Sequence, residues 1–182
     1  HVNLTIVSNI QIKVINNTIN WGSGYHNNTH GDIAHAPENA TLFTNGSYPH
    51  TVINGTWNGT TADNVFGIFI ENMGNVNCSL NLTTEMNAAD FFPSPSGDAN
   101  RKYQWNVTNA EIDSCGRLSD NGNVKVFSDV TKADLGNWTA CDALSWGPNN
   151  DSVYLDIKLV VPADTTSKDT ELTDTINIYA YA

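Results

Sequence analysis

The residues whose spacing most directly spells chemistry are asparagines two positions ahead of a hydroxyl. Asn3, Asn16, Asn27, Asn39, Asn45, Asn54, Asn58, Asn77, Asn81, Asn106, Asn137 and Asn150 each open an Asn-x-Ser/Thr triplet, the acceptor for an N-linked glycan. With 26 Asn, 19 Thr and 12 Ser in 182 residues, chance places about four such triplets, so 12 is an excess. The excess points to a secreted, N-glycosylated protein. Asn39, Asn45, Asn54 and Asn58 lie close together and suggest a sugar-coated loop region. Asn77 and Asn81 fall on the outward parity of an alternating segment. The three cysteines agree with an oxidising compartment: Cys115 and Cys141 sit in turn-like sequence and are expected to pair, while Cys78 alternates with Val76, Leu80 and Leu82 and is expected buried and reduced. No Cys-x-x-Cys is present, so a zinc ribbon or thioredoxin-type site is unsupported.

Composition narrows the class. Charged residues make up 15% of the chain and apolar residues 40%. Neutral amides and hydroxyls replace the missing charge, while 17 aromatics argue against a disordered chain. A net charge of −11 argues against nucleic acid and anionic membrane surfaces. No apolar run is long enough for a membrane-spanning helix. The chain starts at His1 with neither a charged nor an apolar leader region, so a cleaved targeting segment or a trimmed start is expected. A surface of amides, hydroxyls and sugar changes little with pH and is compatible with an acidic exterior.

The elements that must carry these groups are strands. Residues 2–14 alternate, with Val2, Leu4, Ile6, Ile10, Ile12 and Val14 on one parity and Asn3, Thr5, Asn9, Gln11 and Lys13 on the other. Residues 20–61 read as loop. Strands are expected at 65–70, 76–82, 103–107, 124–130, 153–161 and 176–181, and either a strand or an irregular turn at 138–146, with turns at Asn72-Met-Gly74, Pro93–Gly97, Asn121-Gly122 and Gly147–Asn150. A short helix near 85–91 is the only helical candidate. Many short strands separated by turns imply an all-β, Ig-like antiparallel sandwich.

The first strand poses the main question, because an apolar alternating segment cannot stay exposed without risking aggregation. It is either the first strand of its own sandwich or a donor strand that completes the sheet of a neighbour. The second arrangement repeats head to tail without closing and gives a fibre. Secreted character, dense sequons, an alternating N-terminal tail and an all-β head together resemble the subunit of archaeal threads. These are glycosylated surface filaments joined by donor-strand complementation, in the manner of bacterial chaperone–usher pilins. The resemblance implies a tail over 1–19 and a head over 20–182. It also implies that Val2, Leu4, Ile6, Ile10, Ile12 and Val14 are the inserted row, that the partner is a second copy of the chain, and that the product is an extracellular filament serving adhesion, cohesion or biofilm. It implies no enzyme activity, and no cofactor beyond N-linked glycans. A type IV pilin is excluded, since its tail is a continuous apolar helix. Lys13 in the tail is available for an isopeptide crosslink, although a solvated lysine is the simpler reading.

Two rivals remain. A secreted sandwich keeping strand 2–14 for itself would be a binding module for carbohydrate or cell surfaces, with Trp21, Trp57, Trp105, Trp138 and Trp146 as stacking groups. An N-terminal His1 resembles the copper brace of lytic polysaccharide monooxygenases. The second ligand would come from His26, His30, His35 or His50, though these sit in sequon-rich sequence where solvated histidines are the simpler reading. The cluster His26-x3-His30-x4-His35 matches no established metal spacing. There is no Gly-x-Ser-x-Gly and no His-Glu-x-x-His. Asp164, Asp169, Glu171 and Asp174 read as an acidic linker rather than a calcium loop.

Overall fold

The computed structural model describes residues 4–27, 38–59, 65–94, 101–116, 127–165 and 171–182. In chain order the strands are β1 (Ile12–Ile15), β2 (Gly24–His26), β3 (Ala40–Asn45), β4 (Tyr48–Ile53), β5 (Gly55–Trp57), β6 (Ile68–Asn72) and β7 (Cys78–Thr84). A one-turn helix α1 (Ala88–Phe91) follows, then β8 (Lys102–Asn109), β9 (Ser128–Asp129), β10 (Trp138–Leu144), β11 (Ser152–Val161) and β12 (Ile176–Tyr181). The chain is an all-β antiparallel sandwich. A seven-stranded sheet built from β1, β6, β11, β3, β4, β8 and β9 faces a three-stranded sheet ordered β10-β7-β12, and β2 pairs with β5 as a separate ribbon.

Alternation explains the core. In β11, Val153, Leu155, Ile157 and Leu159 are buried on one parity. They belong to one apolar cluster with Cys78, Leu80 and Leu82 of β7 and with Trp105 and Val107 of β8. Trp105 stacks on Trp138 with centroids 5.2 Å apart, which joins β8 to β10 across the two sheets. The helix is short, but it is well started. Asn87 caps the amides of Ala89 and Asp90, and Asp90 takes the amide of Asn87 in return.

β11 is the hub. One edge pairs with β8 from Val153 to Val160. The other edge is shared, with β6 along Ser152–Leu155 and β3 along Lys158–Val161. The two partners part beside Asp156, and its buried carboxylate fills the opening. Oδ1 accepts hydrogen bonds from Thr44 Oγ1 at 2.8 Å and from the amide of Gly46 at 2.6 Å. Thr44 Oγ1 in turn accepts from the amide of Ile157 at 3.0 Å.

The structure corrects two expectations. The described part of residues 20–61 is rich in strand rather than loop, since β2, β3, β4 and β5 lie there. The inward row of β3 is Ala40, Leu42 and Thr44, in which only Leu42 is large and apolar, and the hairpin turn is Gly46-Ser47 between Asn45 and its partner Tyr48, a stretch read only as a sequon. The four clustered sequons therefore sit on strands and strand ends. The N-terminal segment is also not one long strand, because its ladder covers only Ile12–Ile15. Val124 and Asn121-Gly122 lie outside the described residues.

Candidate functional site

The N-terminal segment is divided in two. β1 lies antiparallel along β6, with Ile12 opposite Asn72 and Ile15 opposite Phe69. Lys13 reaches Glu71 at 3.4 Å, and Ile12 packs on the core. The chain before it continues along the β6–β7 turn. The amide of Met73 donates to Gln11 O at 2.7 Å, and that of Asn75 donates to Asn9 O at 3.0 Å. The Asn75 side chain accepts from the amide of Asn9 at 2.7 Å and donates to Val7 O at 3.0 Å. Gly74 permits this approach, since a Cβ there would stand 2.3 Å from Asn9 O. The turn itself is fixed by buried Asn72, whose Nδ2 donates to the carbonyls of Val76, Leu144 and Ser145.

Upstream of that clasp the chain leaves the fold. Leu4, Ile6 and Val7 are 83, 80 and 73% exposed. Of the expected inserted row, Leu4 and Ile6 are free, Ile10 and Val14 are exposed on the outer edge, Ile12 is seated in its own head, and Val2 lies outside the described residues.

Complementary features lie on the three-stranded sheet. β12 pairs with β7 from Ile176 to Tyr181 along one side, and its other side has no strand partner among the described residues. Its inward row, Ile176, Ile178 and Ala180, is half-buried, whereas Leu80 and Leu82 in the next lane are fully buried. The edge is open both in hydrogen bonding and in packing.

The loop leading into β12 is pinned by Asp174. Its Oδ1 accepts the amides of Glu85 and Met86, both at 3.1 Å. Its Oδ2 is enclosed, with the Tyr103 hydroxyl as its side-chain neighbour. Desolvation raises the Asp174 carboxyl above its ordinary value, and burial plus that neighbouring carboxyl drives Tyr103 far above the ordinary tyrosine range. Asp151 is raised too, by desolvation and then by the negative charges of Glu111 and Glu71. A raised folded pKa means that the native state holds the proton more tightly than the unfolded chain. The stability from Asp174 is therefore complete below 3.8 and is lost as pH climbs through the raised value. Asp90, lowered by Lys132 and the Asn87 amide, slopes the other way. Thermal unfolding of wild type and Asp174→Asn from pH 3 upward isolates the Asp174 contribution. The wild type is expected to lose stability relative to the variant as the pH rises, and a constant difference would refute this.

Among the sequons, Asn16, Asn58, Asn77 and Asn137 are exposed, while Asn27, Asn39, Asn45, Asn54, Asn81 and Asn150 are partly exposed. Asn3 lies outside the described residues. Asn106 is a correction. It is 1% exposed, opposite buried Asp156 on β11, and its Nδ2 is enclosed. A glycan on that nitrogen has no path to solvent in this fold. Peptide mass spectrometry after enzymatic deglycosylation in oxygen-18 water is expected to find Asn106 unmarked, and a label there would overturn the point.

Cys115 and Cys141 are joined by a disulfide, and Cys78 is a buried free thiol raised by desolvation. His26 Nε2 lies 3.1 Å from Val161 O with its ring edge-on to Trp57, and His50 packs edge-on to Trp21. His1, His30 and His35 lie outside the described residues, and among those described no group of three or more His, Cys, Asp or Glu could hold a metal. Trp21 and Trp105 are buried, Trp57 and Trp138 half-buried, and only Trp146 is exposed, so the tryptophans form no shared platform. No helix among the described residues is long and apolar enough to cross a membrane.

Sequence reasoning read Asn72-Met-Gly74 as a turn but missed Asn75 as the tail's clasp and Asp174 as the pin of β12. The turn signal was present in both polar stretches, but their partners come from distant chain. The chain matches no protein-family model, and no curated protein matches it.

Proposed function

We propose that the protein is a structural subunit of an extracellular, N-glycosylated filament, linked head to tail when the projecting N-terminal residues of one copy extend the sheet of the next. The observation that carries this reading is the free apolar run at Leu4, Ile6 and Val7, directly upstream of a strand anchored in its own head. Such a segment needs a partner surface to be soluble. The open edge of β12, with its half-buried Ile176 and Ile178, is the surface of matching chemistry in the same chain. Main-chain hydrogen bonds along the edge would supply affinity, and alternate side chains would set register. A contact between two different surfaces of identical copies propagates without closure, which is a fibre. Adhesion, cohesion and biofilm support are the roles such a fibre serves.

The test is deletion of residues 1–6. This removes Leu4 and Ile6 from the projecting run and spares the tail hydrogen bonds, which begin at Val7 O. Negative-stain microscopy is expected to show fibres from the intact chain and none from the deletion. Circular dichroism and the melting temperature should remain close to the parent. Fibres from the deletion, or discrete monomers from both, would sink the proposal.

A further inference from the structure

The outer face of the seven-stranded sheet carries a shallow apolar hollow of about 270 Å³, lined by Asn16, Ser47, Phe66, Gly67, Phe69 and Tyr154. Its floor is aromatic, with Phe69 and Tyr154 meeting edge to face at 5.3 Å between centroids. It is smaller than the ~300–1,000 Å³ of a site that engulfs a free ligand. Its size suits a single ring. One residue of its rim is a glycan acceptor, since Asn16-Asn17-Thr18 is a complete sequon.

Asn16 is also aimed. It follows directly after β1, in the left-handed region at φ 54°, a conformation that asparagine tolerates better than most residues. Its Nδ2 donates to Gly67 O at 3.2 Å, with Phe66 O at 3.4 Å on the same side. A glycosylated Nδ2 keeps one hydrogen, which suffices for Gly67 O, the nearer of the two carbonyls. The amide plane is thus fixed beside the hollow before any glycan is attached.

We propose that Asn16 carries an N-linked glycan whose first sugar ring lies in this hollow, its apolar face against Phe69 and Tyr154 and a hydroxyl within reach of Ser47. Sugar C–H faces stack on aromatic rings much as other apolar groups do, and the covalent tether removes most of the entropic cost of placing the ring. The occupant is the chain's own glycan because the acceptor nitrogen lies on the rim and is already oriented. The inference rests on the reading that the sequons are used.

Thr18→Ala removes the sequon but leaves Asn16 and its bond to Gly67. Thr18 is exposed, and among the described residues its hydroxyl bonds only to its neighbour Asn17. The experiment is a double-mutant cycle of Thr18→Ala with Phe69→Ala on protein from its glycosylating source, with peptide mass spectrometry at Asn16. Asn16 is expected to be occupied. Thr18→Ala is expected to lower the melting temperature of monomers by about 3 °C, and by almost nothing in the Phe69→Ala background. An occupied Asn16 with equal shifts in both backgrounds overturns the seating but keeps the glycosylation. An unmodified Asn16 overturns both. Coupling seen only in assembled fibres also overturns the seating and assigns the hollow to a side chain of a second copy.

Discussion

Asp156→Ala is expected to lower the unfolding free energy by about 4 kcal/mol and the melting temperature by about 10 °C. The cause is local. Asp156 is fully buried where β6 and β3 diverge along one edge of β11. Removing its carboxylate strips the acceptor from the amide of Gly46 and the hydroxyl of Thr44, both buried. Each orphaned buried donor costs about 1–3 kcal/mol, more when the lost partner was charged. Gly46 O also accepts a hydrogen bond from the amide of Gly67 at 2.9 Å, so the β3–β4 hairpin and the chain entering β6 share one anchor. Asp156→Asn keeps one carbonyl oxygen and is expected to cost less than half as much. Denaturant melts of the three proteins decide the matter. Equal losses for Ala and Asn would place the effect in the second carboxyl oxygen, which both variants lack, rather than in a single acceptor atom or in side-chain volume.

Cys115→Ala with Cys141→Ala is expected to cost about 3.5 kcal/mol, from the entropy that a bridge removes from the unfolded chain. The bridge spans 26 residues. It also joins two layers, because Cys141 lies in β10 of the three-stranded sheet and Cys115 follows β8 of the seven-stranded one. Calorimetry of the double variant is expected to show a drop of about 10 °C. An unchanged melting temperature would mean that the packing of Trp105 on Trp138 holds the layers without it. Cys78 is a poor substitute partner, since its buried thiol resists ionisation.

Strands β7, β8, β11 and β12 were legible in the sequence to within about two residues at each end. β7, β8, β11 and β12 each carry inward rows of large apolar side chains, and period two in such residues is the mark of a strand with one face buried. β3 escaped notice because Ala40 and Thr44 are small or polar, and their burial depends on neighbours far along the chain. The tail shows the reverse. Its alternation was plain, yet parity does not say how far a strand is paired. The length of β6 and the position of Asn75 decide that. Asp156 and Asn106 face each other across β8 and β11, and both would read as solvated polar positions in any strand. Only the divergence of β3 from β6 makes a buried carboxylate useful there. The Asn16 hollow is of the same kind, since its aromatic floor joins residues 69 and 154 across a sheet.

The clasp between the tail and the β6–β7 turn has a mechanical meaning. β1 and the residues before it run antiparallel to β6, and their hydrogen bonds continue through Met73 and Asn75. Tension applied to the N-terminus along the strand acts across these bonds in shear. They share the load together instead of opening one after another, and the Lys13–Glu71 pair and the seated Ile12 resist the same displacement. The joint is a lap joint rather than a zipper. A pull on the chain from that end meets its stiffest direction first, while a pull away from the sheet edge would peel the same bonds apart singly.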